Sequence, residues 1–356
     1  MRKSGYYKES LHKWHERGNR SYIFILLGCL LILFFFLDII LGSVYIRFSD
    51  LFELFTSGAN SSISTIIFKF RFPKAITASL VGVALSLSGL QMQTLFRNPM
   101  AGPYVLGVSS GASLGVAMVI LGFYSGPGTS GMMEQSGWIL VISGWLGAGS
   151  VMLLMMFIST RVRDIMTSLI IGIMLASGLS AVVSIMQYFS NETMLKAYVI
   201  WTMGSLGNLS SDQLKVLTIA VLTGLLLGVA LIKKMNALNL GENYASSMGM
   251  NVRITRTLIF VCTSILAGSV TAFCGPIGFI GIAIPHVVRN MFRTSDHKIL
   301  LPGTVLTGAV VMLGSDIISQ LPGSESVIPV NSVTALIGIP IVLWIILHNK
   351  KISGLG

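Results

Sequence analysis

Residues 71–111 read RFPKAITASLVGVALSLSGLQMQTLFRNPMAGPYVLGVSSG. This stretch contains one apolar run, Pro73–Leu95, and the start of a second, Tyr104–Gly122, with a polar turn around Arg97 between them. A bilayer core about 30 Å thick requires about 20 apolar residues in a helix. The stretch therefore predicts two membrane-spanning helices joined by a short turn.

The same apolar pattern continues on both sides of this stretch. The 356 residues are 53% hydrophobic and 10% charged, whereas a typical soluble domain carries about 25% charged residues. The candidate spans are Tyr22–Val44, Pro73–Leu95, Tyr104–Gly122, Gly137–Ile158, Ile165–Phe189, Gln213–Ile232, Ile254–Cys274, Ile277–Met291, Leu300–Leu321 and Val333–Leu347. This pattern predicts an all-α integral membrane protein with ten transmembrane helices in one domain (22–348), between a basic segment (1–21) and a short tail (349–356).

The basic residues are distributed unequally between the two predicted sides. With the N-terminus inside, only six of the 24 Lys and Arg residues fall outside, which is the bias expected of a membrane protein. The distribution predicts an even number of spans with both termini cytoplasmic. It also accounts for the net charge of +11 without a nucleic-acid partner. We expect the basic first 20 residues to contact anionic lipid of the inner leaflet.

The motifs of nucleotide hydrolysis and metal catalysis are absent from the sequence. There is no G-x-x-x-x-G-K-[ST] phosphate loop, no HExxH and no CxxC. We therefore predict a transport protein that is not an enzyme, that binds no metal or cofactor itself, and that takes its energy from elsewhere.

Polar residues inside the spans are few. A carboxylate within the membrane is a functional candidate by default, and Asp38 and Asp316 are such residues. Both lie near the outer ends of their spans, and for Asp316 a structural hydrogen bond is favoured over a proton relay. His286, which has no metal-ligand companions, is interpreted as a structural hydrogen-bonding residue.

Small residues in the spans indicate close packing of helices. Gly107, Gly111 and Gly115 form a doubled small-xxx-small pattern, which is typical of helix contacts in membranes. The cysteines are interpreted as buried free thiols that pack as small hydrophobic groups: Cys29, Cys262 and Cys274.

Two of the predicted loops have features of their own. The inside segment 233–256 reads KKMNALNLGENYASSMGMNVRITR, and its small and apolar residues predict two short helices broken at Gly241 and Gly249. Such helices would form a docking surface for a cytoplasmic partner. The outside stretch Ser190–Asp212 is expected to form a short amphipathic helix on the outer surface.

Several blocks of sequence, in order, resemble the FecCD family of ABC-importer permeases. The first is residues 71–111, which is similar to the family pattern R-x-P-R … RNP-L-A-x-P-x-x-L-G. The others are LGENYASSMGMNVR (240–253), GPIGFIGIAIPHVVR (275–289), DHKILLP (296–302) and TALIGIP (334–340). The resemblance extends from Arg71 to the end of the last predicted helix.

The resemblance implies the type II ABC-importer architecture in a bacterial cytoplasmic membrane. It implies a homodimer with the transport path at its twofold interface and two ABC ATPase subunits, which bind ATP and Mg²⁺. A periplasmic or lipid-anchored binding protein would deliver the cargo. In this family the cargo is most often a ferric siderophore, with haem and cobalamin (vitamin B12) as alternatives.

The resemblance also assigns roles to individual residues. The ATPase-coupling residues are expected to be Leu240, Gly241, Ala245, Met248 and Gly249. Docking of the binding protein is assigned to Arg71, Lys74 and Glu325. The path is assigned to the tenth predicted helix and to the fifth, with Met174, Ser177, Ser180, Ser184 and Met186. Ordinary packing remains an equal alternative for these methionines.

Three departures from the family pattern lie on the outer side. First, Lys74 replaces the second arginine of R-x-P-R. Second, members of the family often have an arginine near the position that is Gln320 in this chain. Third, the acidic E-L-P-x-G turn of the family is replaced here by VIPVN (327–331). Glu325 is the acidic residue closest to that turn.

Two other functions remain open from the residues alone. An ion-coupled carrier would work without ATP, but such carriers usually place buried charges at the midplane, where this chain has few. A structural membrane scaffold would not require the inside loop.

Overall fold

The computed structural model describes residues 3–42, 62–122, 137–162, 164–320 and 327–349. Over these ranges the protein is all-helical, as predicted. The helices are α1 (Lys3–Ile40), α2 (Phe72–Phe96), α3 (Val108–Ala117), α4 (Gly137–Arg161), α5 (Ile165–Tyr188), α6 (Glu192–Thr202), α7 (Ser211–Ala230), α8 (Ile232–Leu240), α9 (Glu242–Ser247), α10 (Val252–Thr263), α11 (Ser269–Cys274), α12 (Ile280–Phe292), α13 (His297–Ser319) and α14 (Val330–Asn349).

Short segments of other helical types complete these elements. Ser62–Thr65 and a π-helical turn, Ile66–Arg71, lead into α2, and a second π-helical turn, Ser264–Gly268, joins α10 to α11. A third, Met118–Gly122, extends α3, which follows the 3₁₀ turn Pro103–Leu106.

Each of the ten predicted spans contains a helix. Within the described ranges, seven helices are long and apolar enough to cross a membrane, and Val108–Gly122 and Val330–Trp344 are shorter apolar helices. The eighth predicted span corresponds to α12, which has only 13 residues. The count of ten spans and the location of both termini therefore stay predictions.

Helix α2 lies at the centre of the bundle. In its most apolar window 78% of the residues are buried, compared with 17% for α1 and for α5. A helix that is apolar on every side is one that is surrounded by other helices. The helices that contact α2 most extensively are α13 and α12.

Glycines allow the backbones around α2 to come close together. A Cβ atom added to Gly82 would collide with the carbonyl oxygen of Gly308 in α13. A Cβ atom on Gly89 would collide with the carbonyl oxygen of Gly281 in α12. In a membrane, where helices associate by close packing, small residues at such contacts are required.

The glycine pattern of the third predicted span also allows two helix backbones to come close together. Gly111 and Gly115 of α3 face Gly147 and Ser143 of α4, at distances that leave no room for a side chain. The predicted close helix packing is confirmed at these two positions. Gly107 lies just before α3 with a φ of +78°.

The helices have two ends, named here from α2. The outer end is where α2 begins, and it contains the end of α1 and the end of α13, which contact Arg71 and Lys74. The inner end is where α2 finishes, beside α8 and the start of α13. The predicted helix in the loop after α5 is confirmed as α6.

The cysteines differ from one another in burial. Cys262 and Cys274 are buried free thiols, as predicted. Cys29 is exposed, so the prediction of burial was wrong for this residue. The reason is that α1 packs on the rest of the bundle with only a small part of its surface.

Candidate functional site

The inner loop, residues 232–251, forms the main structure at the inner end. It consists of α8 and α9, and the chain turns between them at Gly241, where φ is +124°. Because only glycine adopts such a conformation readily, the break occurs where the sequence predicted it. The second predicted break, Gly249, follows α9 with a φ of +81°.

One face of the inner loop is apolar and exposed. Leu240 is 66% exposed, Tyr244 54% and Met248 64%. We call these three residues the apolar face. Exposed apolar patches on a protein surface commonly mark sites of protein interaction, so this arrangement can receive a partner.

The other predicted coupling residues lie behind this face. Ala245 is fully buried. It therefore packs α9 against the bundle and is not accessible to a partner protein. Gly241 and Gly249 shape the turns. Tyr244 was not selected from the sequence, because the break at Gly241 separates its helix from Leu240 and the spacing along the chain does not show that the two residues share a face.

An ion pair holds α9 against the start of α10. The guanidinium of Arg256 donates from Nε to Oε1 of Glu242 at 3.0 Å and from Nη2 to Oε2 of the same carboxylate. Two parallel hydrogen bonds of this kind fix the relative orientation of both groups. Asn251 accepts from the backbone N–H of Ile254 at 3.1 Å and so caps α10.

Arg97 ties α2 to α8. It ends α2 in a left-handed conformation, with a φ of +46°, and its Nη2 donates to the carbonyl oxygen of Leu238 at 2.9 Å. Carbonyl groups in the last turn of a helix attract cations, and this one also accepts from the backbone N–H of Gly241 at 3.0 Å. A Cβ atom on Gly241 would lie 3.0 Å from Nη2 of Arg97, so the glycine also leaves space for this contact.

Replacing Arg97 by glutamine is expected to loosen the inner loop and to destabilise the protein by about 1 kcal/mol, the size of one net hydrogen bond. The measurement is the apparent Tm of the purified protein in detergent. Arg293→Gln is the matched control, because Arg293 also ends a helix with a positive φ, of 47°, but has no hydrogen bond from its side chain to any described residue. Equal Tm losses in both variants would contradict the assigned role of Arg97.

The outer end contains a cluster of four ionisable residues and one amide. Arg71 is buried, and its Nη1 donates to the carbonyl oxygens of Ile39 and Ile40 at 2.8 and 2.7 Å. Lys74 pairs with Asp316, with 3.0 Å between Nζ and Oδ1. The two residues assigned to docking of a binding protein therefore have partners within this chain, and the docking role stays a prediction.

Gln320 joins the two intramembrane carboxylates. Its Nε2 donates to Oδ1 of Asp38 at 3.1 Å and to Oδ2 of Asp316 at 3.0 Å. The predicted structural hydrogen bond of Asp316 is confirmed. The predicted role of His286 is confirmed as well, since its Nε2 lies 2.8 Å from the carbonyl oxygen of Pro99.

The residues assigned to the path lie on the exposed side of α5. Met174 is 68% exposed in the single chain, which excludes ordinary packing inside the subunit for this residue. Ser177 and Ser184 are exposed and donate to carbonyl oxygens of their own helix, and Ser180 is exposed too. Met186 is half-buried and packs near α3. The assignment to a path stays a prediction.

Glu325, the remaining residue assigned to docking, lies outside the described residues. Within the described ranges, no group of three or more His, Cys, Asp or Glu side chains could hold a metal ion.

Comparisons with known proteins agree over most of the chain. The model of the FecCD transport family matches residues 30–348. The hemin transport system permease protein HmuU of Yersinia pestis is 32% identical over 331 residues, which are 92% of this chain and 96% of that protein. The vitamin B12 import system permease protein BtuC of Klebsiella pneumoniae subsp. pneumoniae is 38% identical over 289 residues, covering 80% of this chain and 83% of that protein.

A solved structure has a similar fold. It is a metal-chelate type ABC transporter in an inward-facing conformation, with a TM-score of 0.80 and 28% sequence identity, and the match covers 92% of this chain and 99% of that one.

Proposed function

The chain belongs to the FecCD transport family, and from this premise we propose that it is the membrane permease subunit of an ATP-driven importer. The observation that carries the proposal is the apolar face of Leu240, Tyr244 and Met248 at the inner end. A permease without a phosphate loop cannot hydrolyse ATP at a site of that kind, so an ATP-driven importer needs a partner that does. An exposed apolar surface on the side predicted to be cytoplasmic suits an ATPase subunit, which would bind the ATP and Mg²⁺.

The proposed assembly is a homodimer with two ATPase subunits and an external binding protein. The exposed side of α5, with Met174 and its serines, is the surface that we assign to the dimer interface and the transport path. Such a path has no cluster of charges that would hold a cargo tightly. Weak contacts of this kind suit passage of a large polar molecule.

We propose a metal chelate as the cargo, and within this class a ferric siderophore. Relatives named for hemin and vitamin B12 support the class and make haem and cobalamin the alternatives. Uptake of labelled ferric siderophore, haem and cobalamin should be compared in cells with and without the gene, under iron limitation. Selective loss of one cargo, restored by the gene and abolished by ATP depletion, is the expected result.

Two results would contradict this function. Uptake that persists after ATP depletion would favour an ion-coupled carrier instead. Failure of any ATPase subunit to co-purify with the chain would remove the partner that the proposal requires.

Docking of the binding protein by Lys74 can be tested separately from the internal ion pair. Replacing Lys74 alone would leave the buried carboxylate of Asp316 without its cation, which is strongly destabilising, whereas replacing a buried pair together by apolar groups is often neutral. The double variant Lys74→Met with Asp316→Leu therefore removes both charges as a unit. If Lys74 attracts an acidic partner, the affinity for the binding protein falls, and it falls most at low salt.

The control is Lys196→Met, which removes one charge from α6 at the outer end. Unchanged affinity in the double variant would show that Lys74 serves only the internal pair.

A further inference from the structure

The inner loop is attached to helices that are distant from it in the chain. Helix α8 follows α7 and the loop leads into α10, but the polar contacts of α8 go to α2 and α13. On the side facing the bundle, Met235 and Leu238 are buried. Between them lies Asn236, whose amide is at the centre of these contacts.

The imidazole of His297 joins three helices. This residue is the first of α13 and is fully buried. Its Nδ1 lies 2.7 Å from Oδ1 of Asn236 in α8, and its Nε2 lies 2.8 Å from Oγ1 of Thr94 in α2. Both ring nitrogens are therefore used, each by a different neighbouring helix.

The orientation of the Asn236 amide follows from its neighbours. Its Nδ2 donates to Oδ1 of Asp296 at 2.6 Å, while its Oδ1 accepts from the backbone N–H of His297 at 2.9 Å. A flipped amide would place its NH₂ group against that N–H. The hydrogen bond from the N–H of Lys298 to Asp296 holds the pKa of this carboxyl below its usual range, so it is charged and accepts at neutral pH.

These contacts also determine the proton positions on the ring. Because Oδ1 of Asn236 can only accept, Nδ1 of His297 carries a hydrogen. In the neutral ring Nε2 is then an acceptor for the hydroxyl of Thr94, whose single hydrogen has a second acceptor at 2.8 Å, the carbonyl oxygen of Leu90. The donor and the acceptor are thus defined for each hydrogen bond from His297 through Asn236 to Asp296, while the hydroxyl hydrogen of Thr94 is shared between His297 and the carbonyl oxygen of Leu90.

The same turn of α2 has further ties. Gln93, next to Thr94, accepts from Nη1 of Arg289 in α12 at 2.6 Å and donates to the carbonyl oxygen of Ile282 at 3.0 Å. The last turn of α2 is therefore joined to α8, α12 and α13 together. Thr94 and His297 are buried, so breaking the hydrogen bond between them would leave the imidazole nitrogen without a partner in a low-dielectric interior, and this part of the network resists distortion.

We propose that Thr94, Asn236 and His297 form a positioning chain that carries a displacement of the inner loop to α2 and α13. The inference rests on the proposed function, since the displacement would come from the ATPase bound to the apolar face. Because α2 is the central helix, moving its inner end moves its neighbours with it. Without the positioning chain the inner loop could shift while α2 stayed in place, and ATP hydrolysis would be separated from transport.

The test uses the full complex of the permease with its ATPase and binding protein in liposomes. Thr94→Val keeps the shape of the side chain but removes the hydroxyl, and Asn236→Ala removes the amide. For each variant, ATP hydrolysis is measured together with import of ferric siderophore, haemin or cyanocobalamin. The number of ATP molecules hydrolysed per molecule imported is expected to rise about fivefold, within the range produced by mutations in a coupling network.

The control variant is Asn239→Ala, in the same helix. The amide of Asn239 also donates to a carbonyl oxygen, that of Ser295, at 3.1 Å, but it is exposed. We expect its ratio of ATP to cargo to equal that of the parent. If Thr94→Val and Asn236→Ala lower the Tm but keep the parental ratio, the three residues have only a structural role and the proposal is overturned.

A distance measurement gives a second result that does not depend on the cargo. Spin labels are attached at Ser247→Cys in α9 and Met100→Cys after α2, in a Cys29→Ser background, because Cys29 is the exposed native thiol. In the parent, adding ATP and vanadate is expected to leave the distance between the labels unchanged, since α9 and α2 move together. In Thr94→Val and Asn236→Ala, the same addition is expected to change this distance. Equal behaviour of parent and variants would overturn the positioning chain.

The results that would contradict the proposed function differ from those that would contradict the positioning chain. A parent complex that binds no ATPase and imports none of the three cargoes would contradict the proposed function itself. A parent that imports with ATP, with variants that import equally well per ATP, would contradict the positioning chain alone.

Discussion

Gly89→Ala is expected to destabilise the protein, to lower its Tm clearly and to reduce the yield of folded protein. A Cβ atom at this position would collide with the carbonyl oxygen of Gly281, and a backbone group cannot move aside as the end of a flexible side chain can. Overpacking of a well-packed core costs about 1–3 kcal/mol, and we expect the upper end of this range because both helices are buried here. The gain of about 1 kcal/mol in helix propensity from glycine to alanine is too small to offset this cost.

The measurement is size-exclusion chromatography in detergent, followed by thermal unfolding of the monodisperse fraction. Gly149→Ala is the matched control, since it also lies within a helix, α4, and a Cβ atom there would meet nothing within 4 Å. The control should be as stable as the parent or slightly more stable. A parental Tm for Gly89→Ala would contradict the close contact between α2 and α12.

Met248→Glu is expected to abolish ATP-driven transport while the protein remains folded. The side chain of Met248 is exposed, so a charge there costs little in the free permease. At an interface with the ATPase the same charge would be desolvated, and loss of a central contact of this kind costs at least about 2 kcal/mol of binding energy. Binding of the ATPase should therefore weaken at least about 30-fold.

The measurement is co-purification and the Kd of the ATPase for the permease in detergent. Ser246→Glu is the matched control, because it adds the same charge to an exposed position of α9 away from the apolar face. Tight binding of the ATPase to Met248→Glu would mean that the apolar face is not the docking surface.

The membrane location and the order of the helices could be predicted from the sequence. Lipid cannot satisfy backbone groups, so every crossing segment must be a helix with a long apolar run, and such runs are visible without a structure. The breaks at Gly241 and Gly249 were visible as well, because glycine adopts positive φ values more readily than other residues and commonly ends a helix. The family resemblance over residues 71–340 depended on ordered blocks of sequence that need no coordinates.

The roles of individual polar side chains could not be predicted in the same way. Arg71 and Lys74 were expected to face a binding protein, whereas each has a partner within the chain. Arg97 was noted only as part of a turn, although it ties α2 to the end of α8. Neither property has a local signal, because the partner of each residue lies on a different helix.

The sequence by itself therefore determined the all-helical membrane fold, the short helices of the inner loop and the family. These properties follow from the solvent around each segment and from the local conformation of glycine. Only the tertiary structure decided that Thr94 and His297, 203 residues apart, share a hydrogen bond, and that Tyr244 completes an exposed face. The physical reason is that buried polar groups must find partners within about 3 Å, and packing of distant helices alone brings such partners together.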